Sequence, residues 1–251
     1  MVEYLTFISH SHLDKDIASK LQLELDNFGL SSFVAHEDIE PNEEWAKEIV
    51  KVAGECRIFL YLLTENFYKS TSRWPDHEVG MGISKRALCI PLSLEGVIHV
   101  DPYGALAHIQ RVKINEESYY DSTFVVKFGK RKIGLSRFVL TKWYDKEGSK
   151  VIEYFISELS TVKDFKSGNA VCRTLRLMDR WNWLSPEQVN EIVRYGTANN
   201  QVFNLQYSTA SSEFIKELAE KYTGDLEKGL LERLQKKIQI RENSRQVIPS
   251  S

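Results

Sequence analysis

Trp74 and Glu78 stand four residues apart, within SRWPDHEVG, so on a helix they share one face. A carboxylate near a helix N-terminus is favoured in its ionised form. An aromatic ring beside it can exclude water and stack on a flat ligand. That combination suits a reaction whose transition state puts positive charge on a sugar ring, as glycosidic cleavage does. On spacing alone the pair also fits ordinary packing, with Trp74 half-buried and Glu78 a solvated acid in the helix's first turns. Four histidines offer a second chemistry. His10 and His12 alternate on an extended segment, and His36 and His77 could lie nearby. They lack acid or cysteine partners at ligand spacing, so no metal site is expected. They read as polar lining of a cleft or as solvated loop residues.

The elements around these residues decide between the readings. Strand patterns at Tyr4–Ser9, Ser31–Ala35, Arg57–Thr64, Ala87–Leu94 and Ile109–Ile114 alternate with helical patterns over residues 14–28, 43–54 and 72–85. Leu13, Ile17, Leu21, Leu25 and Phe28 mark one face of the first helix. Ser11 with Asp14 predicts a capping box, and Gly29 a helix stop. The unbroken apolar run IFLYLL fits a strand covered on both faces. Strands alternating with helices imply an open parallel sheet with right-handed crossovers. Ligands of such sheets bind beyond the carboxyl ends of the strands. That edge gathers Ser9 and His10, Ala35 and His36, Leu63 and Thr64, and Leu92 and Ser93. Glu78, early in the helix after the third strand, falls at the same edge.

Domain boundaries are expected at 1–115 for this α/β part, with a connecting segment, possibly a hairpin, over 116–145. A helical domain should follow over 146–240, then a frayed tail over 241–251. Its five helical stretches are 150–163, 168–181, 186–199, 211–223 and 225–240. The third begins on a strong signal, Ser185, Pro186 and Glu187. The leucine stripe Leu226, Leu230, Leu234 and Ile238 is read as packing within this half, self-association being the sharper alternative.

Hydrophobic residues make up 42% and charged residues 27%, an ordinary globular balance, and the formal net charge is −2. That charge gives no general attraction to nucleic acid or an anionic membrane. Lys127, Lys130, Arg131 and Lys132 make a small basic patch, read as a solvated turn. Cys56, Cys89 and Cys172 are odd in number and widely spaced, against a disulfide framework or zinc site. MVEYLTFISH has neither a basic n-region nor a long apolar h-region, and no run is long enough to span a bilayer. A reducing cytoplasm is the expected setting.

Three stretches, FISHSHLDKDIASKLQLELDNFGLSSFVAHEDIEPNEEW, IFLYLLTENF and SRWPDHEVG, resemble a bacterial TIR (Toll/interleukin-1 receptor) domain of the NAD-cleaving type, over about residues 3–115. The resemblance implies a flavodoxin-like α/β fold with a five-stranded parallel sheet, followed here by a mainly helical domain outside the family pattern. It implies an NAD+ glycohydrolase or cyclase, giving nicotinamide and linear or cyclic ADP-ribose, in bacteria as part of anti-phage defence. Glu78 takes the catalytic glutamate's place. Trp74 would line the nicotinamide-ribose pocket, and Phe7, Ser9, His10 and Ser11 its floor. Asp38 lies in the 36–43 loop, which would cover the site from a neighbouring protomer. Self-association and NAD+ as substrate are therefore implied, with no metal and no further cofactor. The alternative is a non-enzymatic adaptor acting through TIR–TIR contacts. His10-Ser11-His12 replaces the Tyr or Arg frequent in other members, and Asp38-Ile39-Glu40-Pro41 lacks a glycine common in animal adaptors. The helical half would regulate or oligomerise the first.

Overall fold

The computed structural model describes residues 4–34, 43–69, 74–94, 104–204 and 209–246. By its contacts the chain divides into two units, Met1–Lys146 and Glu147–Ser251.

In the first unit, β1 (Thr6–Ser9), β2 (Ser32–Val34), β3 (Ile58–Leu62), β4 (Leu88–Leu94), β5 (Val112–Tyr119), β6 (Ser122–Phe128) and β7 (Arg131–Gly134) form one sheet. The strand order is β2-β1-β3-β4-β5-β6-β7. Strands β1 to β5 pair in parallel, and β6 and β7 add antiparallel to the β5 edge. The sheet is thus seven-stranded and mixed, which corrects the expected five-stranded parallel sheet. The stretch expected as a connection supplies the far half of β5, all of β6 and β7, and the helix after them. A two-residue turn closes β6 onto β7. Gly129 takes its first position at φ 60°, where tight hairpins require a residue that tolerates positive φ.

The helices of this unit are α1 (Lys15–Asp26), α2 (Glu43–Glu55), α3 (Glu65–Lys69), α4 (Trp74–Ser84) and α5 (Leu135–Glu147). Gly29, at φ 67°, follows α1 as expected. The capping box expected from Ser11 and Asp14 does not form, since neither side chain caps the turn that follows it. Leu13 was placed on the buried face of the first helix. It lies in the 3-10 turn His12–Asp14 instead and is 66% exposed.

All five residues of β3 are buried, matching a strand covered on both faces. On one face, Phe7, Phe59 and Tyr61 stack in a row, with ring centroids 5.2 Å and 6.1 Å apart. Ile49, Val52 and Ala53 of α2 and Val79 of α4 pack on the same core. The contact between α4 and this row depends on Gly82. A Cβ there would fall 2.2 Å from the Tyr61 hydroxyl and 2.9 Å from Phe59 Cγ. Gly82→Ala is expected to cost about 1–3 kcal/mol of stability by overpacking. Urea unfolding measures it, and a wild-type midpoint would show that α4 does not sit this close.

Among its described residues the second unit has helices and no strand: α6 (Lys150–Thr161), α7 (Phe165–Arg180), α8 (Pro186–Ala198), α9 (Ala210–Lys221) and α10 (Lys228–Gln246). Ser185 and Gln188 complete a capping box at the start of α8, with Pro186 in its first turn. The core is aliphatic and aromatic, built on Phe155, Leu175, Ile192, Val193 and Phe214. Leu230 and Leu234 of the leucine stripe are buried, at 5% and 2% exposure, while Ile240 beyond them is 45% exposed. Among the described residues, no helix is long and apolar enough to cross a membrane.

Candidate active site

β1 ends on Ser9, which places its side chain at the carboxyl edge of the sheet. Across that edge, α4 starts at Trp74 and brings Glu78 round in its second turn. Ser9 Oγ donates a hydrogen bond to Glu78 Oε2. Glu78 is 3% exposed, so the solvated-acid reading does not hold. The helix itself is held from below: the Tyr61 hydroxyl donates to the Glu78 backbone carbonyl at 3.4 Å. Burial, then the neighbouring Cys89 and Glu78, push the Tyr61 phenol up. Tyr61 is therefore a neutral donor at neutral pH.

The chain beyond β1 is also buried. His10 is 2% exposed and Ser11 0%, and Ser11 Oγ has no hydrogen-bond partner among the described residues. Phe7 lies two residues earlier on the same strand face as Ser9, stacked on Phe59 within the core. It forms the apolar base beneath the polar end of β1. Trp74 opens α4 one turn before Glu78. Asp38 lies outside the described residues, as does the rest of the loop over 36–42.

Asn66, which the sequence reading does not single out, shapes this edge together with Asp14 and Thr64. Asp14 is 6% exposed. Its Oδ2 accepts from Thr64 Oγ1, and its Oδ1 accepts from Asn66 Nδ2 at 2.9 Å. Thr64 Oγ1 in turn accepts from the Phe67 backbone N–H at 3.1 Å. The carboxylate assigned to a helix cap is thus a clasp between the loop after β1 and the loop after β3. The signal lies in the Thr64-x-Asn66 pair directly after a buried strand, opposite Asp14, and the reading of Asp14 as a cap obscures it. A buried carboxylate with polar donors at the next strand end is the pattern to look for.

The edge thus carries a buried carboxylate held by a strand-end serine, over an apolar base. Residues 6–125 match the family model described as TIR domain. Residues 6–125 form a TIR domain. The match runs past the expected limit near residue 115 and ends inside β6, so the β5–β6 hairpin belongs to the domain. No curated protein matches the chain. Within the TIR domain, Ser9 and Glu78 meet through a hydrogen bond, and His10 and Ser11, next along the chain from Ser9, are buried as well.

Proposed function

We infer that this TIR domain cleaves NAD+ at the nicotinamide–ribose bond, with Glu78 as the catalytic carboxylate. The observation that carries the reading is the buried Glu78 side chain, fixed by the Ser9 hydroxyl at the ligand-binding edge of the sheet. Heterolysis of the C1′–N bond sends the electron pair to the pyridinium nitrogen, so nicotinamide leaves neutral. The ribose is left as an oxocarbenium ion. A carboxylate in a water-poor site stabilises that charge far better than it would in bulk water. Water capturing C1′ and losing a proton gives linear ADP-ribose, and an adenine nitrogen capturing it gives a cyclic product. The resemblance supplies the rest of the proposal: Trp74 beside the nicotinamide ribose, Asp38 in a covering loop from a second protomer, and a role in anti-phage defence. Activity that needs self-association should rise more steeply than linearly with protein concentration.

The test is incubation of the full chain with NAD+ over a range of protein concentrations and with crowding agents, followed by mass spectrometry of the products. Nicotinamide and an ADP-ribose species are expected. Intact NAD+ in every assembled state, with a TIR partner co-purifying, would instead identify an interaction module.

Ser9→Ala tests the positioning of the carboxylate. Loss of one charge-assisted hydrogen bond is worth about 1.5–3 kcal/mol, so kcat should fall about tenfold or more. KM should move less, and the circular dichroism spectrum should stay unchanged. Unaltered kcat would remove Ser9 from the mechanism.

A further inference from the structure

A second candidate site lies wholly within the helical unit, where α10 crosses the end of α8, and it does not depend on the reading of Glu78. A groove of about 300 Å³ opens there. From α8 come Arg194, Thr197 and Ala198, and from α10 come Arg233, Lys236, Lys237 and Ile240. The spacings i, i+3, i+4 on one helix and i, i+3, i+4, i+7 on the other put each set on a single face. The groove is therefore a meeting of two helix faces. Four of its lining side chains are cationic and none is a carboxylate.

Helix-end electrostatics account for one of the four. Lys237 Nζ donates to the Thr197 carbonyl, in the last turn of α8, where a cation suits the dipole. Burial holds Lys237 below the ordinary lysine range. Arg194 meets Glu227 at 2.6 Å, but Glu227 does not line the groove. Arg233 and Lys236 add two more positive charges on the same side, at a cost in mutual repulsion. A further observation concerns Thr197 itself. It is 5% exposed, lines the groove, and its Oγ1 has no hydrogen-bond partner among the described residues. The four cations that line the groove are a donor set for an oxyanion. Ala198 and the half-exposed Ile240 give the groove an apolar side.

We propose that this groove binds a small phosphorylated molecule of nucleotide class, its phosphate among Arg194, Arg233, Lys236 and Lys237 and its ring system against Ala198 and Ile240. The volume is at the small end of ligand pockets, which favours a mononucleotide over a larger cofactor. A free nucleotide is favoured over a nucleic acid strand because the cations converge on one groove. The unit as a whole is close to neutral, with 15 basic and 14 acidic residues over 147–251.

Isothermal titration of the full chain with adenosine 5′-diphosphate tests this, with adenosine, inorganic phosphate and a single-stranded oligoadenylate RNA as comparison probes. Arg233→Glu and Lys236→Glu change exposed residues, and a thermal melt of each without ligand checks the fold. The expected result is saturable diphosphate binding that weakens about tenfold or more in each variant. Adenosine should bind at least about tenfold more weakly, and added salt should weaken the diphosphate. Diphosphate affinity unchanged by Arg233→Glu and Lys236→Glu overturns the proposal, as does no binding at all. RNA binding tighter than the diphosphate, and lost in the same variants, overturns it in favour of a nucleic acid surface.

Discussion

Glu78→Gln should lower NAD+ turnover by about a thousandfold while leaving the fold intact. The substitution keeps the shape of the side chain, and the amide oxygen can still accept from Ser9 Oγ, as Oε2 does in the native chain. What it removes is one negative charge in a site where the residue is 3% exposed. A unit charge about 4 Å from the developing oxocarbenium, at an effective dielectric of about 20, is worth about 4 kcal/mol. That corresponds to about three decades in rate. The loss should fall on kcat, because neutral ribose in the ground state gains little from the charge that the transition state requires. Steady-state kinetics on matched preparations measure it, with Ser9→Ala as the milder companion. A fall of less than about tenfold in kcat would show that Glu78 is not the catalytic carboxylate, whatever the TIR domain does with NAD+.

The α/β core was readable from sequence because its signals are local. The IFLYLL run, the alternation of strand and helix, and Gly29 each act within a few residues. The rule that ligands bind at the carboxyl edge then selected Ser9, His10 and Glu78 without any knowledge of packing. Burial of Glu78 was not readable. A first-turn acid and a buried site acid have the same sequence, and the difference lies in Ser9, 69 residues away. For a related reason the β5–β7 edge was legible only as a strand over 109–114 and a possible hairpin within 116–145. β5 has one buried residue, Ile114, followed by the half-buried or exposed Asn115, Glu116 and Glu117, and β7 is RKIG, so neither shows the apolar run of a central strand. The Lys127–Lys132 patch is answered by Glu117, which pairs with both lysines. The Lys132 hydrogen bond holds the Glu117 carboxyl below its usual range. That agrees with a solvated hairpin and gives the patch no separate role.

What fixes that edge is Glu24, and it sets the largest expected effect on stability. Glu24 sits on the sheet-facing side of α1 at 2% exposure, among residues such as Leu21 and Leu25. Its Oε2 accepts from the backbone N–H groups of Thr123 and Phe124 at 2.9 and 2.8 Å. Its Oε1 accepts from the Ser136 N–H at 3.1 Å. One side chain therefore ties α1 to the start of β6 and the start of α5. Glu24→Ala leaves three backbone donors without their acceptor, at about 1–3 kcal/mol for each that water does not reach. A loss of about 3–5 kcal/mol is expected, enough to unfold a marginal domain. Glu24→Gln should cost less but not nothing, because both native oxygens accept and the amide NH₂ must face a donor. The pH dependence has a definite sign. Burial outweighs the hydrogen bonds and raises the Glu24 carboxyl above its ordinary 4.5. The stability that titrates with it is complete below about 4.5 and is lost as pH rises through the raised folded value. Relative to Glu24→Gln, which cannot titrate, the wild type should therefore lose ground in urea unfolding as pH rises above 4.5. A flat difference would mean that the carboxylate is fully satisfied by its donors. An alanine variant as stable as wild type would mean that β6 and α5 hold to the sheet without it.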